Sequence, residues 1–227
     1  MASGSRIVSQ GSDCDRRACL KAAGAFLLAL AASAVWASPR PNAMAGGRTV
    51  RTVRGDLSPS DLGLTLPHEH LLMQHVGWRR DSILDDADLA QQELDLFARH
   101  PFNRIRERTL VEVTGHGVRG PSHAERLRTI AEQTGVHIVM ATGFHRKPWH
   151  PHQLTQKTPR QLEEVLIADI VEGVGPNRIK AGVIGEIGIS GAGPGIDGID
   201  RDEFKVLQAA AAAQRRTGAA LYVHFDN

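Results

Sequence analysis

The sequence predicts a parallel α/β fold, and three observations carry that expectation. From Thr49 onward, short β-like runs alternate with longer helical ones. Each β-like run is nearly continuous in apolar residues, as strands buried on both faces of a parallel sheet require. Five such runs separated by helical patterns form a series of βαβ units rather than hairpins.

Leu64–His70 is the first candidate strand. Thr109–Thr114 (TLVEVT), His137–Thr142 (HIVMAT), Ala181–Ile187 (AGVIGEI) and Ala220–His224 (ALYVH) follow. Between them, Leu89–Arg99 reads as a helix whose start is preceded by Asp85, Asp86 and Asp88, acids that favour a helix N-terminus. Ser122–Thr134 is the second helix. Thr158 and Pro159 supply an N-cap and a first-turn proline before Leu162, Val165, Leu166 and Ile170. Asp202–Thr217 is an alanine-rich helix closed by Gly218. The run Gly191–Gly195 reads as a flexible βα loop, because Pro194 removes an amide donor that a phosphate cradle would need. Arg104, Arg106 and Arg108 read as a solvated basic face, and there is no internal repeat. At this level an open doubly wound sheet and the front of an eight-stranded barrel both remain open.

Composition narrows the partners. The 227 residues are 41% hydrophobic and 23% charged with a net charge of +2, an ordinary globular mixture without the basic field of a nucleic-acid binder. Aromatics at 4% give no stacking surface for single strands. Both cysteines, Cys14 and Cys19, lie near the N-terminus with no metal-binding spacing, so any metal must be held by nitrogen and oxygen.

Residues 1–45 read as an export signal and linker. Arg16 and Arg17 precede an apolar run, Ala22–Ala37, that is short and alanine-rich for a membrane span; small residues with Pro39 and Pro41 follow it. The stretch Asp15–Lys21 (DRRACLK) resembles a twin-arginine signal, with Cys19 where phenylalanine is usual. Cleavage after Ala37, Ala43 or Ala45 fits equally. The expectation is a periplasmic or secreted protein without a stable membrane anchor; a Sec-type signal or an uncleaved anchor is the alternative. The remainder, 46–227, is then the functional domain.

His68-Glu69-His70 is the sharpest local feature. Residues two apart on a strand point the same way, so the two imidazoles project together and can share a divalent metal. Glu186 ends an apolar strand, where a carboxylate is costly unless it is paired or metal-bound. His224 ends the next strand in the same way. Each has a bland reading: packing for the HxH triplet, an arginine partner for Glu186, a satisfied core histidine for His224. Three strand ends that each present a ligand type nevertheless suggest a hydrolytic metal site at the C-terminal end of a barrel. Glu112 reads as a supporting or packing residue, and the loop holding His145, Trp149, His150 and His152 as a pocket wall or a plain surface loop.

The segment Gly63–Leu71 (GLTLPHEHL) resembles the opening metal motif of the phosphotriesterase family, within the amidohydrolase superfamily. TLVEVT, GVHIVMATGFHRKPWHP, IKAGVIGEIGIS and TGAALYVH follow in the family's order, so the resemblance runs from about Val50 to the end of the sequence. It implies a (β/α)8 TIM barrel, truncated here after about the fifth strand. It implies a hydrolase of an ester, lactone, amide or phosphoester bond in a small molecule, working through a metal-activated hydroxide. Two divalent ions, zinc first, would be held by His68 and His70 on one side, His224 on the other and Glu186 as the bridge. A bridging glutamate, where organophosphate-degrading members carry a carboxylated lysine, is similar to the phosphotriesterase homology proteins. Phe144, His145 and Trp149 would bind substrate. A sixth-strand histidine and the general-base aspartate are expected beyond Asn227, so an inactive remnant or metal-binding module is the alternative. The family also allows a homodimer; nucleic acid is not an expected partner.

Overall fold

A computed structural model of the chain describes residues 48–74, 83–101, 105–191 and 198–225. The expected signal over 1–45, with Arg16, Arg17 and Cys19, lies outside the described residues, as do Arg104 and Ala192–Gly195 of the glycine-rich loop. An antiparallel hairpin, β1 (Val50–Thr52) and β2 (Gly55–Leu57), comes first. Its tip is tied to the fold by the Val53 N–H, which donates to the Ile138 carbonyl at 2.9 Å. Strands and helices then alternate: β3 (Leu64–Glu69), α1 (Ala87–Arg99), β4 (Arg108–Glu112), α2 (His123–Thr134), β5 (His137–Thr142), α3 (Pro159–Val171), β6 (Val183–Ile189), α4 (Arg201–Thr217) and β7 (Ala220–Phe225).

The last five strands form one parallel sheet in the order β3-β4-β5-β6-β7. Strand order that follows chain order has no reversal point. That removes the doubly wound alternative and leaves the advancing half of a (β/α)8 barrel. Among the described residues no helix is long and apolar enough to cross a membrane.

Local chemistry sets the element ends. The Asp86 carboxylate accepts from the Asp88 and Leu89 amides at 3.0 Å each, so α1 starts two residues before the leucine that opens its apolar pattern. Thr158 and Gln161 form a reciprocal capping box at the start of α3. Asp200 caps α4, and Gly218, at φ 71°, closes it with its N–H on the Gln214 carbonyl. Ser122 precedes α2 in a left-handed conformation rather than opening it as a helical residue.

Two expectations need correction. The fourth barrel strand is displaced toward the C-terminus: Ala181 and Gly182 donate to the Asp169 and Met140 carbonyls and lead into β6, which leaves Glu186 mid-strand. Arg108 is no solvated cation. Its side chain is buried, and its guanidinium donates to the carbonyls of Phe97 and His100 at the α1 C-terminus and of Ile105 and Glu107 just before β4. Arg106 is exposed as expected.

The core lies between sheet and helices. Leu110, Ile138, Met140, Ile184 and Ile187 from the strands meet Leu127, Ile130, Leu162, Leu166 and Val206 from the helices, each 2% exposed or less. Burial of such side chains contributes about 1.5–3 kcal/mol each. The cost of the buried backbone is met by the parallel ladder, which leaves the strand ends as the places where polar side chains can converge.

Candidate metal centre

The end of β3 carries His68 and His70 on one face, with ring centroids 5.6 Å apart, despite a register shift against β4 between Leu66 and Glu69. Their Nε2 atoms each lie 3.4 Å from Oε2 of Glu186, whose side chain is 1% exposed. The loop after β5 brings His145 Nε2 to 3.7 Å from the same oxygen. His224, on β7, sets Nδ1 against the other oxygen, Oε1. Four imidazoles from three segments of the chain thus face one buried carboxylate.

Glu186 has no hydrogen-bond partner among the described residues for either carboxylate oxygen, although both are buried. A buried acceptor left this way costs about 1–3 kcal/mol, more for a charged one. The spacing suggests what resolves it. Ligand atoms about 2.0–2.1 Å from one tetrahedral metal lie about 3.4 Å from one another, which is the separation of Glu186 Oε2 from both β3 histidines. The ligand atoms of His68, His70 and Glu186 all lie within 4.8 Å of one another. The donor set of nitrogen and carboxylate oxygen fits a divalent ion such as zinc.

Both β3 imidazoles are held from behind. His68 Nδ1 lies 3.0 Å from the Tyr222 hydroxyl, and His70 Nδ1 lies 2.9 Å from the Thr114 hydroxyl. With Nδ1–H donating to a hydroxyl, each ring turns its Nε2 lone pair toward Glu186, the tautomer a metal ligand needs. His145 is held in the opposite sense. The Arg146 amide donates to its Nδ1 at 2.9 Å, so in the neutral ring the proton sits on Nε2 and faces the centre. His145 is therefore placed as a donor rather than as a ligand.

Burial pushes His145 down to about 4, so its ring is neutral near pH 7. Burial also lowers the His70 imidazole, but the Glu186 and Glu112 carboxylates outweigh it and the net shift is upward. For Glu186 burial raises the carboxyl, and His70, His145 and His224 together bring it below the usual range.

The expected substrate residues are placed unequally. His145 reaches the carboxylate. Phe144 lies in the main core with its ring stacked on His116 at 4.9 Å. Trp149 packs with Met73 and Val118, meets His145 edge-on at 4.5 Å and lies under the Arg146 guanidinium. His150 Nε2 lies 2.6 Å from the His145 carbonyl, and Glu203 on α4 accepts from the Lys147 amide at 3.0 Å. The other oxygen of Glu203 accepts from the Ser190 amide and hydroxyl at 2.9 Å each, which joins the β5 loop to the end of β6. Glu112 is fully buried and 3.1 Å from His123 Nε2, beneath the centre rather than in it.

Sequence reasoning missed Tyr222 and Thr114. Tyr222 had a readable signal: it is two residues before His224 on one strand and therefore shares its face. Thr114 closes the TLVEVT run, and nothing local distinguishes it.

A model of the phosphotriesterase family matches residues 48–227. The N-acetyltaurine hydrolase of Rattus norvegicus is 33% identical, covering 77% of this chain and 56% of that protein. Among solved structures, the phosphotriesterase homology protein of Escherichia coli, with phosphate in its active site, shows a TM-score of 0.63 at 27% identity, over 73% of this chain and 54% of its own. A lactonase from Listeria monocytogenes shows 0.65 at 25% identity, over 79% and 57%. The chain spans about half the length of the relatives it matches. With the family match extending over every described residue, the chain belongs to the phosphotriesterase family.

Proposed function

We propose that His68, His70, Glu186 and His224 hold two divalent metal ions, zinc first, in the centre of a hydrolase acting on an ester, lactone, amide or phosphoester bond of a small molecule. The observation that carries this reading is Glu186, a buried carboxylate with no hydrogen-bond partner among the described residues and faced by four imidazoles. His68 and His70 would hold one ion, His224 the other, and Glu186 both. Metals held there would lower the pKa of a water and polarise the bond under attack.

The chain's own residues prepare the rest. Tyr222 and Thr114 orient the β3 imidazoles. His145, with its Nε2–H toward the centre, donates to an oxygen of the substrate. Trp149 and His150 hold the ring and backbone of His145, and Glu203 holds the loop through Lys147. An N-acyl amide is the first substrate class to try, since the rat relative is named for hydrolysis of one. A metal-binding chain without turnover is the second reading, since the cluster around Glu186 would hold a metal in either case.

The test is metal content by plasma mass spectrometry on purified protein, beside a variant with His68→Ala and His70→Ala, followed by hydrolysis of an amide, lactone and phosphoester panel. Bound zinc lost in the variant supports the centre, and turnover of a panel member supports the hydrolase. Zinc without turnover on any member selects the second reading. A folded wild type that binds no divalent metal removes both.

A further inference from the structure

Asp169 stands on the apolar side of α3, seven residues after Leu162 and beside Ile170, both buried. Its surroundings are not apolar. One oxygen, Oδ2, accepts from the Thr142 hydroxyl at 2.7 Å, from His116 Nε2–H at 2.9 Å and from Arg119 Nη1 at 3.4 Å. Thr142 ends β5, and His116 and Arg119 lie in the loop after β4. Arg119 is itself spread across the backbone: Nε donates to the Thr114 carbonyl at 3.0 Å and Nη2 donates to the Ala141 carbonyl. His116 adds an N–H on the Gly143 carbonyl at 2.7 Å. One helix side chain therefore ties the ends of two neighbouring strands together.

A leucine at this position would complete the apolar face at less cost, because a largely buried carboxylate must be compensated by every donor it meets. The compensation here has a direction. Arg119 holds the Thr114 carbonyl, and the Thr114 hydroxyl is the group 2.9 Å from His70 Nδ1. We propose that Asp169 is a positioning residue for the metal centre: through Arg119 and the Thr114 backbone it fixes the hydroxyl that orients His70. The role of His70 as a ligand rests on the proposed function, but its orientation is a property of the metal-free chain.

The experiment reads the His70 tautomer in the full-length, metal-free protein, from nitrogen–proton couplings of the imidazole by NMR. The proteins compared are the wild type, Asp169→Asn, Thr142→Val and, as a control on the exposed side of α3, Glu164→Gln. The expected wild-type result is an Nδ1-bound proton throughout, held by the Thr114 hydroxyl. D169N converts it to a mixture and weakens zinc binding by about 10-fold, in keeping with other groups that support metal ligands. E164Q changes neither. T142V removes one donor and no charge, so it shows a smaller change in the same direction and decides the matter if D169N does not fold. A mixed tautomer in the wild type, or a His70 unaltered in a folded D169N or T142V, overturns the proposal. Should the wild type bind no zinc, the metal reading fails by itself, and the tautomer comparison still decides the positioning role.

Discussion

Tyr222 and His68 meet across the sheet at 3.0 Å, hydroxyl to Nδ1, with their rings edge-on at 5.1 Å. This contact sets the tilt of a ring whose other nitrogen faces Glu186. Tyr222→Phe keeps the ring contact and removes only the hydroxyl. The expected result is zinc affinity reduced by about 10-fold or more with little change in stability. Titration against a chromophoric chelator measures it, and equal affinities would show that the hydroxyl plays no part in holding the ring.

Much of the site was legible because strand periodicity is a strong constraint. His68 and His70 share a face in the structure as their spacing of two requires, and a carboxylate in the apolar run VIGEIGI had no cheap place to go except a polar centre. The parts that were not legible depend on contacts distant in sequence. Arg108 looked like one of three solvated arginines, and only the approach of the α1 C-terminus reveals its carbonyl partners. Nothing local marks the role of Asp169 beyond its place seven residues after Leu162 on an apolar face. Phe144 and His145 are adjacent, yet one enters the core and the other the centre, which no local pattern distinguishes.

Glu203 holds two loops at once, accepting from two backbone amides and one hydroxyl with no exposure of its own. Glu203→Ala leaves those amides without partners and opens a small void. The expected loss is about 3 kcal/mol of stability, seen as a lower urea midpoint. Because Lys147 follows His145 closely and Ser190 directly follows the strand that carries Glu186, zinc binding should weaken as well. A variant that loses stability but binds zinc as tightly as the wild type would confine Glu203 to the scaffold.

Gly143 sits where a side chain has no room. A Cβ there would lie 2.4 Å from the Gly185 carbonyl oxygen, a backbone atom that cannot rotate away. Gly143→Ala must therefore push β5 and β6 apart next to Glu186. Overpacking of this kind costs about 1–3 kcal/mol, and the displacement should lower zinc affinity out of proportion to the stability lost. Thermal unfolding of the metal-free variant and a chelator titration separate the two effects; an unchanged midpoint would mean that the strands yield freely.

Acid should weaken the metal-free fold through His116 before it does so through Asp169. Burial, with Arg119 adding to it, holds the His116 imidazole below its ordinary value despite the pull of Asp169. The unfolded chain takes up that proton near about pH 6.5, whereas the folded chain does so only at lower pH. Below that point the unfolded state binds more protons, so stability falls as pH falls. Asp169 acts in the same direction further down: burial raises its carboxyl, but His116, Arg119 and Thr142 outweigh this and the net shift is downward. Its contribution is present above about pH 4 and is lost as pH drops through the folded value. His116→Gln can keep a donor toward Asp169 and cannot titrate. The urea midpoint of the wild type should drop between about pH 7.5 and 5, and H116Q should show a smaller drop over the same interval. Parallel pH profiles for the two proteins would place the acid sensitivity in other histidines.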